Sequence, residues 1–566
     1  MKINRGERKR VIIVFFSFMA WVILILGVLV KLQVFNYGKY TQKIRNQSNR
    51  IFSLHPKRGT IYDKHGDILA ISVLSKSAFI SNKDKGESTK LYGKIVKKIS
   101  LSYKDRLDIR KRISAGKHFI WIKRKLSEKE FLRIEKVNEE GFSSKVGFVD
   151  EYKRIYPQKK VASHILGGVG IDEQGLSGIE FSLDSVIKGK GGKVDAQLDA
   201  RSQIFSLEYL ESEIPGKNLH LTIDLPIQYF VEKKLEEVVK KYNAKGGSVI
   251  VMNSKDGSLL AMASYPGYNP SNISHTKQSV LRNNALSFLY YPGSTFKVIL
   301  ASSALENKVC DVDYKFNCYN GEYSMNDLKI QDVHPYATLS FRDIIVYSSN
   351  IGAAQIGMRL GDKRYYNYIK KFGFGNELHI RLPAAEKGIV NPLKRWNRYS
   401  SAYIAHGYEI YVSPVQMIRA LNVIASGGYL VEPKILKSID GVLFRNSGTK
   451  RIISGNTSSL VTDIMVDVVD IGTGKKAALA DLKVAGKTGT AKKYKLGKFR
   501  KLYVSSFGGF FPVDDPEITI FIVIDEPKGL FYGGDVAAPL FKEISKRVIM
   551  SQNIGYEDQK LPGVRI

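Results

Sequence analysis

The chain has 566 residues and a formal net charge of +33, which is too long for one ordinary domain and strongly basic. Its 2 cysteines, Cys310 and Cys318, are too few for a metal-site argument, and its 9 histidines form no H-E-x-x-H or similar spacing. Neither a metal nor another cofactor is expected.

The N-terminus carries Lys2, Arg5, Arg8, Lys9 and Arg10, and Val11 to Val30 then runs without a charge. That is about the 20 residues a membrane-spanning helix needs. A signal peptide is disfavoured, because the run is long and Val28-Leu29-Val30-Lys31 lacks a small-residue cleavage pattern. The basic flank predicts a cytoplasmic tail over 1–10 and a span over 11–30, with the bulk of the chain outside the cytoplasm. That topology argues against nucleic acid as the partner of the positive charge. An anionic membrane surface or anionic wall polymers suit it better, and a general compositional bias fits equally well. Cys310 and Cys318 face an oxidising compartment in this reading; a disulfide and two free buried thiols both remain open.

Residues 31–216 read as one module with turn-rich patches at Arg58-Gly59-Thr60, Lys64-His65-Gly66-Asp67 and Gly189-Lys190-Gly191-Gly192, and a helix near Ser127 to Val137. From Leu219 the pattern tightens. Two apolar runs, Gly247 to Met252 and Ser258 to Ala263, flank the turn Asn253-Ser254-Lys255-Asp256-Gly257 and predict a hairpin. Val504 to Phe511 and Ile518 to Ile524 predict a second hairpin around a Pro/Asp turn. Helical patterns lie between them, among them Pro414 to Ala425 before Gly427-Gly428. A sheet with strands from both ends of a domain and helices inserted between them is an α+β arrangement. The expected second domain covers 217–550, followed by a tail over 551–566.

Three short motifs in that domain carry chemistry. Behind the turn Tyr291-Pro292-Gly293, Ser294-Thr295-Phe296-Lys297 opens a helical pattern, with Ser294 and Lys297 one turn apart on one face. A serine hydroxyl needs a base, and a lysine serves only when partly neutral, through burial or a nearby cation such as Lys487. Ser294 also suits a plain helix N-cap. Next, Ser348-Ser349-Asn350 follows the apolar run Ile344-Ile345-Val346. Ser348 offers a proton relay and Asn350 an amide for a peptide substrate, although alone this is an ordinary Ser/Asn turn. Last, Lys487-Thr488-Gly489-Thr490 follows Leu482 to Gly486, a candidate edge strand. Gly489 permits close approach of a substrate backbone. The Thr488 and Thr490 hydroxyls suit a carboxylate, and the Thr490 N–H could pair with that of Ser294 as an oxyanion hole. Lys492, Lys493 and Lys495 make the following loop basic.

In this order, S-x-x-K, S-x-N and K-T-G resemble the signature set of penicillin-binding proteins and serine β-lactamases. The resemblance extends over nearly the whole chain to the class B penicillin-binding proteins. It is carried also by Arg58 to Ala70, Arg154-Ile155-Tyr156-Pro157, Ala162 to Gly167, Gly175 to Glu180 and Tyr532 to Pro539. The Arg58 and Gly178 segments read as scaffold and turn residues. The resemblance implies an elongated membrane-proximal module of the dimerisation (pedestal) type and a serine transpeptidase domain with an antiparallel sheet flanked by helices. It implies catalysis by Ser294, Lys297, Ser348, Asn350 and Lys487, with Thr488, Gly489 and Thr490 binding substrate. It further implies cross-linking of peptidoglycan stem peptides at D-Ala-D-Ala through an acyl-enzyme on Ser294, with β-lactams as inhibitors. The expected location is the bacterial plasma membrane, beside other wall-synthesis or division proteins including a glycosyltransferase. Lack of an extra C-terminal domain is most similar to the division-specific branch, with the elongation branch the close competitor. Two departures stand out: Ala405-His406-Gly407-Tyr408-Glu409 where family members often have a Gly-rich stretch, and the Lys-rich loop after Thr490. A β-lactamase would need a water-activating group, for which no motif is evident. A β-lactam sensor or scaffold without chemistry is disfavoured by the intact motif set.

Overall fold

The computed structural model describes residues 5–39, 49–54, 56–82, 84–140, 146–198, 204–326, 328–444, 448–495 and 498–554. Contacts divide the chain into two units, one from residues 1–57 and 189–216, the other from 58–188 and 217–566. In the first, the helix Arg5–Val30 continues into a π-helical turn, Lys31–Phe35. Within Arg8–Phe35 an 18-residue window has a mean hydropathy of 2.9 and no buried share. Among the described residues this is the one helix long and apolar enough to cross a membrane. The same unit holds a three-stranded antiparallel sheet in the order Asn49–Leu54, Gly192–Leu198, Ile204–Glu211.

Residues 58–188, within the module read as 31–216, share a unit with residues 217–566. The physical reason is strand pairing that crosses residue 216. Ile61–Tyr62 pairs in parallel with Leu219–Leu221, which pairs in turn with Leu436–Ile439. On its other side Ile61–Tyr62 pairs with the long strand Ile68–Ser81, which also carries Phe119–Lys123 and Val146–Ile155. The helix expected near Ser127 is Glu128–Asn138, with Ser127 and Glu130 forming a reciprocal capping box. It packs Ile134 and Val137 into a small core with Ile80, Leu91, Ile95 and Ile120.

Motif residues far apart in sequence meet inside this lobe. Arg58 donates from Nε to Glu180 Oε2 at 2.6 Å and from Nη1 to Asp184 Oδ1 at 2.6 Å. Arg154 donates from Nε to the other Glu180 oxygen at 2.7 Å, and the Tyr156 hydroxyl to that oxygen at 3.2 Å. All but Asp184 are buried. Gly178 has φ +59°, and a Cβ there would meet the Gly167 nitrogen at 2.4 Å. Glycine is thus required where the two loops cross. The scaffold reading of these segments stands, with Glu180 as its centre.

The second unit is built on a five-stranded antiparallel sheet in the order Leu259–Tyr265, Gly246–Asn253, Ile518–Asp525, Lys498–Phe511, Ala485–Lys495. Both predicted hairpins are present within a few residues of their expected ends. The strands are apolar on both faces because both are covered. Val249, Val251, Ile520 and Ile522 point to Leu225–Lys241 and Gly533–Gln552, where Val231, Leu235, Phe541 and Ile544 receive them. The alternate residues Ile250, Met252, Phe521 and Val523 face the other side, with Leu300, Ile344, Ile418 and Leu421. There Lys297–Glu306, Phe341–Val346, Asn350–Leu360, Pro414–Ala425 and Gly455–Asp470 pack together. Every residue of Pro414–Ala425 is buried, so this helix lies inside the domain. Both cysteines are buried free thiols.

The Glu180 node yields a stability prediction. Glu180→Gln leaves two buried guanidinium groups without their shared carboxylate, and removing one partner of a buried pair typically costs about 3–5 kcal/mol. Asp108→Asn breaks the exposed Arg112–Asp108 pair, where less than about 1 kcal/mol is expected. Urea unfolding of the two variants should separate them by that margin.

Candidate active site

The segment that carries Ser294, the candidate nucleophile, begins where the chain is pinned. Gly293 has φ +57° and donates its N–H to the Gly407 carbonyl at 3.2 Å. A Cβ on Gly407, itself at φ +84°, would meet the Gly293 oxygen at 2.1 Å. The two backbones therefore touch directly, which is why a glycine persists within the otherwise bulky Ala405 to Glu409 segment. Gly293–Phe296 forms a 3₁₀ turn and Lys297–Glu306 continues as an α-helix. Ser294 precedes the α-helix proper and makes no capping hydrogen bond, so its hydroxyl is free for other partners.

Lys297 Nζ lies 3.1 Å from Ser294 Oγ, 2.6 Å from the Ser348 carbonyl oxygen, 3.2 Å from Ser348 Oγ and 2.9 Å from Asn350 Oδ1. Lys487 Nζ reaches the same Ser348 Oγ at 3.1 Å. Both lysines are 0% exposed. Burial pushes Lys297 down to about 7, opposed by the charge of Asp332. Lys487 is held well below the ordinary lysine range by burial and then by the proximity of Lys297. Burial thus leads for both amines, ahead of the cation effect anticipated for Lys487 on Lys297.

Ser348 stands between the two amines at φ +64°, in the left-handed region. Such a conformation costs a non-glycine residue about 1–2 kcal/mol and recurs at functional sites. The following residues hold it there. Ser349 caps the helix Asn350–Leu360, accepting from the Gly352 N–H at 3.0 Å. Asp332 accepts from the Ser349 hydroxyl at 2.6 Å and from the backbone N–H groups of Asn350 and Ile351. Asn350 Nδ2 donates to the Gln331 carbonyl at 3.0 Å, which leaves Oδ1 to face Lys297.

The third motif lies within the edge strand Ala485–Lys495, where alternation sorts its side chains. Lys487 reaches Ser348, and a Cβ on Gly489 would meet Ser506 Oγ at 2.4 Å and Thr295 Cγ2 at 2.8 Å. Glycine at 489 is therefore demanded by packing against the nucleophile's turn. Thr488 and Thr490 project the other way: Thr488 Oγ1 shares a hydrogen bond with Thr473 Oγ1 at 2.7 Å, and Thr490 Oγ1 accepts from the Gly533 N–H at 3.0 Å. These groups open onto a cleft of about 420 Å³ lined also by Ser294, Ser348, Asn350, His406, Tyr408, Lys475 and Tyr532.

Of the residues singled out in the sequence, Ser294, Ser348, Asn350, Thr488 and Thr490 line this cleft, Lys297 and Lys487 are buried with their amines on Ser348, and Gly489 packs against Ser506 and Thr295. Sequence reasoning missed Asp332, His406, Thr473 and Lys475. His406 is neutral: burial and then the nearby Lys297 bring it down to about 3, and its Nδ1 faces the Ala402 carbonyl at 2.8 Å. A carbonyl only accepts, so that nitrogen carries the proton. Among the described residues no group of His, Cys, Asp and Glu is arranged to hold a metal ion.

The chain matches the family described as Penicillin binding protein transpeptidase domain over residues 247–546, and the Penicillin-binding Protein dimerisation domain over residues 53–221. It belongs to the class B penicillin-binding proteins. It is 30% identical over 540 residues to the probable peptidoglycan D,D-transpeptidase PenA of Neisseria meningitidis, covering 94% of this chain and 91% of that protein. It is 31% identical over 539 residues to the peptidoglycan D,D-transpeptidase FtsI of Buchnera aphidicola, covering 94% and 92%. A crystal structure of a putative peptidoglycan glycosyltransferase from Atopobium parvulum superposes with a TM-score of 0.69 at 27% identity, over 89% of this chain and 100% of that one. This penicillin-binding protein is a serine-type peptidoglycan D,D-transpeptidase.

The Gly293–Gly407 crossing can be tested in it. Gly407→Ala forces the nucleophile's turn to move, and misplacement of a reacting group by about 1 Å costs about 10²-fold in rate. Penicillin acylation, followed by intact-protein mass, should slow by that factor while far-ultraviolet circular dichroism stays unchanged.

Proposed function

We propose that the transpeptidase works through an acyl-enzyme on Ser294, formed at the D-Ala-D-Ala bond of one stem peptide and resolved by an amine of another. The observation that carries this is the position of the Lys297 amine, fully buried, near-neutral and 3.1 Å from Ser294 Oγ. Lys297 takes the hydroxyl proton as Oγ attacks the penultimate D-Ala carbonyl. The backbone N–H groups of Ser294 and Thr490 receive the oxyanion. As the C–N bond breaks, the departing D-Ala amine is protonated through Ser348 Oγ, which both lysine amines reach. The second amine then attacks the ester, loses its proton along the same relay and frees Ser294. Thr488 and Thr490 bind the terminal carboxylate, and Asn350 positions both Lys297 and the donor peptide.

The long apolar helix suits a single span. The basic N-terminal flank supports an orientation with the N-terminus in the cytoplasm and the catalytic domain outside, where stem peptides are cross-linked. The physiological setting we propose is septal wall synthesis, on the overall likeness to the FtsI-type branch, beside a glycosyltransferase and other membrane proteins. Wall elongation is the competing assignment.

The decisive experiment is penicillin labelling followed by mass. Ser294→Ala should acquire no penicilloyl mass; labelling of that variant excludes Ser294. In the unaltered protein the rate should rise with pH through about 7, because only the deprotonated Lys297 amine accepts a proton and its value is lowered to about 7. Lys297→Arg should abolish the rise along with the activity, since a guanidinium stays charged.

Topology generates a separate expectation. An exported soluble form lacking residues 1–42 should acylate at nearly the full-length rate yet fail to support growth in cells depleted of the full-length protein. Full complementation would reduce the helix to an export signal.

A further inference from the structure

Five aromatic rings run in unbroken contact from beside the nucleophile to the far end of the edge strand. Tyr411 stacks on Tyr291 with centroids 4.3 Å apart, and Tyr291 lies 5.3 Å from Tyr408. Tyr408 meets Phe499 edge-on at 5.5 Å, and Phe499 meets Tyr494 at 5.2 Å. The inner three rings are partly buried, and Tyr408 lines the cleft. Tyr494 and Phe499 are 47% and 51% exposed. The Lys492 backbone N–H donates to the Tyr408 hydroxyl at 3.3 Å, tying the array to the strand that carries Lys487 to Thr490. The two departures noted in the sequence thus meet: Ala405 to Glu409 contacts the Lys-rich residues after Thr490, which continue the edge strand rather than forming a loop.

The exposed end of this array is continuous with the cleft, and its distance from the cleft is informative. Along a strand the rise is about 3.4 Å per residue, so Tyr494, four residues past Thr490, lies about 13 Å along the edge. A stem peptide laid extended against that edge, its terminal carboxylate on Thr488 and Thr490, covers about 10 Å with the three residues before its penultimate D-Ala. At that point the peptide ends and its amino sugar begins. A pyranose ring has a C–H face that packs on aromatic rings as other apolar surface does. Lys492 is exposed and Arg500 partly so, and among the described residues neither is paired with a carboxylate, so the strand edge offers cations to the acidic groups of the stem.

We propose that Tyr494 and Phe499 form a stacking platform for a sugar ring of the glycan strand that bears the donor stem peptide. The inner rings hold the platform in register with the cleft, so that glycan-linked peptide is preferred over free peptide. This rests on the donor orientation proposed above, with the carboxylate on Thr488 and Thr490.

The test uses the full-length protein in detergent and two donors, a free pentapeptide ending in D-Ala-D-Ala and the same pentapeptide carried on its disaccharide. Both are transferred to one common amine. For the double variant Tyr494→Leu/Phe499→Leu, kcat/KM for the disaccharide donor should fall about tenfold, as expected for two lost ring contacts. The free-peptide donor and penicillin labelling should be unchanged. Phe499→Tyr with Tyr494→Phe should retain the unaltered preference, because the faces remain. Equal loss with both donors would make the rings a structural brace of the edge strand and overturn the proposal. No loss with either would overturn it in favour of another occupant, such as a protein partner. If the double variant fails to label with penicillin, the single variant Tyr494→Leu, at the outer end of the array, decides by the same criteria. Failure of the donor orientation itself would be seen separately, as a Thr490→Val variant that still uses the free peptide at the full rate.

Discussion

Two ammonium groups cannot be kept side by side, out of water, without a carboxylate against them. Lys297 and Lys487 are both fully buried, both reach one serine hydroxyl, and among the described residues no acid touches either amine. Desolvation and mutual repulsion act in the same direction, and at least one amine must be neutral near pH 7. The chain carries 87 lysines and arginines, and most of the described ones are exposed or partly exposed. The site is defined by two that the fold denies that exposure. A neutral amine beside Ser294 is a base, and a second amine across Ser348 completes a path along which a proton can move.

Holding that pair sets demands on the elements around it. Ser348 must sit in a left-handed conformation, and Asp332 secures it from outside by taking the N–H groups at the start of the helix Asn350–Leu360. The edge strand must lie against the nucleophile's turn, so Gly489 has no room for a side chain. Gly533 is pressed against the same strand, with its missing Cβ 2.3 Å from the Gly489 oxygen, and its N–H fixes Thr490. The Gly533 crossing is backbone to backbone, so side-chain repacking cannot absorb an added methyl there, whereas a Cβ on Gly489 would press on the side chains of Ser506 and Thr295.

How much of this the sequence disclosed follows from distance along the chain. Ser294 and Lys297 are one helical turn apart, so their partnership could be read locally. The apolar runs of Gly247 to Met252 and Ile518 to Ile524 made the hairpins legible, and Pro414 to Ala425 was delimited by its proline and glycines. Asp332 could not be found this way: it caps a helix that starts 18 residues later, and nothing near it in sequence marks the role. Thr473 and His406 enter the cleft only through tertiary packing. Gly489 was legible as part of a motif, but its reason was not, because a Cβ there points at Ser506 and Thr295 rather than at substrate. The Glu180 node shows the same limit. Arg58 and Glu180 lay in segments marked as scaffold and Arg154 in a motif of the family resemblance, and only folding brings the two arginines onto one carboxylate.

The same geometry bears on why such a site transfers an acyl group to an amine in preference to water. Hydrolysis of an ester on Ser294 needs a base to activate a water beside it. The one carboxylate among the described cleft-lining residues is Asp535, and Lys476 holds it at 2.8 Å. Asp332 lies behind Ser349, with its oxygens turned to the backbone of the next helix. His406 has the proton on Nδ1 directed to a backbone carbonyl, and its imidazole is held to about 3 and is a feeble base. Lys297 remains, but a near-neutral amine at about 7 removes a proton far more readily from the ammonium formed once an amine has attacked than from water. An incoming amine brings its own nucleophilicity and needs only that late proton removal, whereas water needs its proton taken at the outset. The cleft thus discriminates between the two acceptors through the bases it withholds.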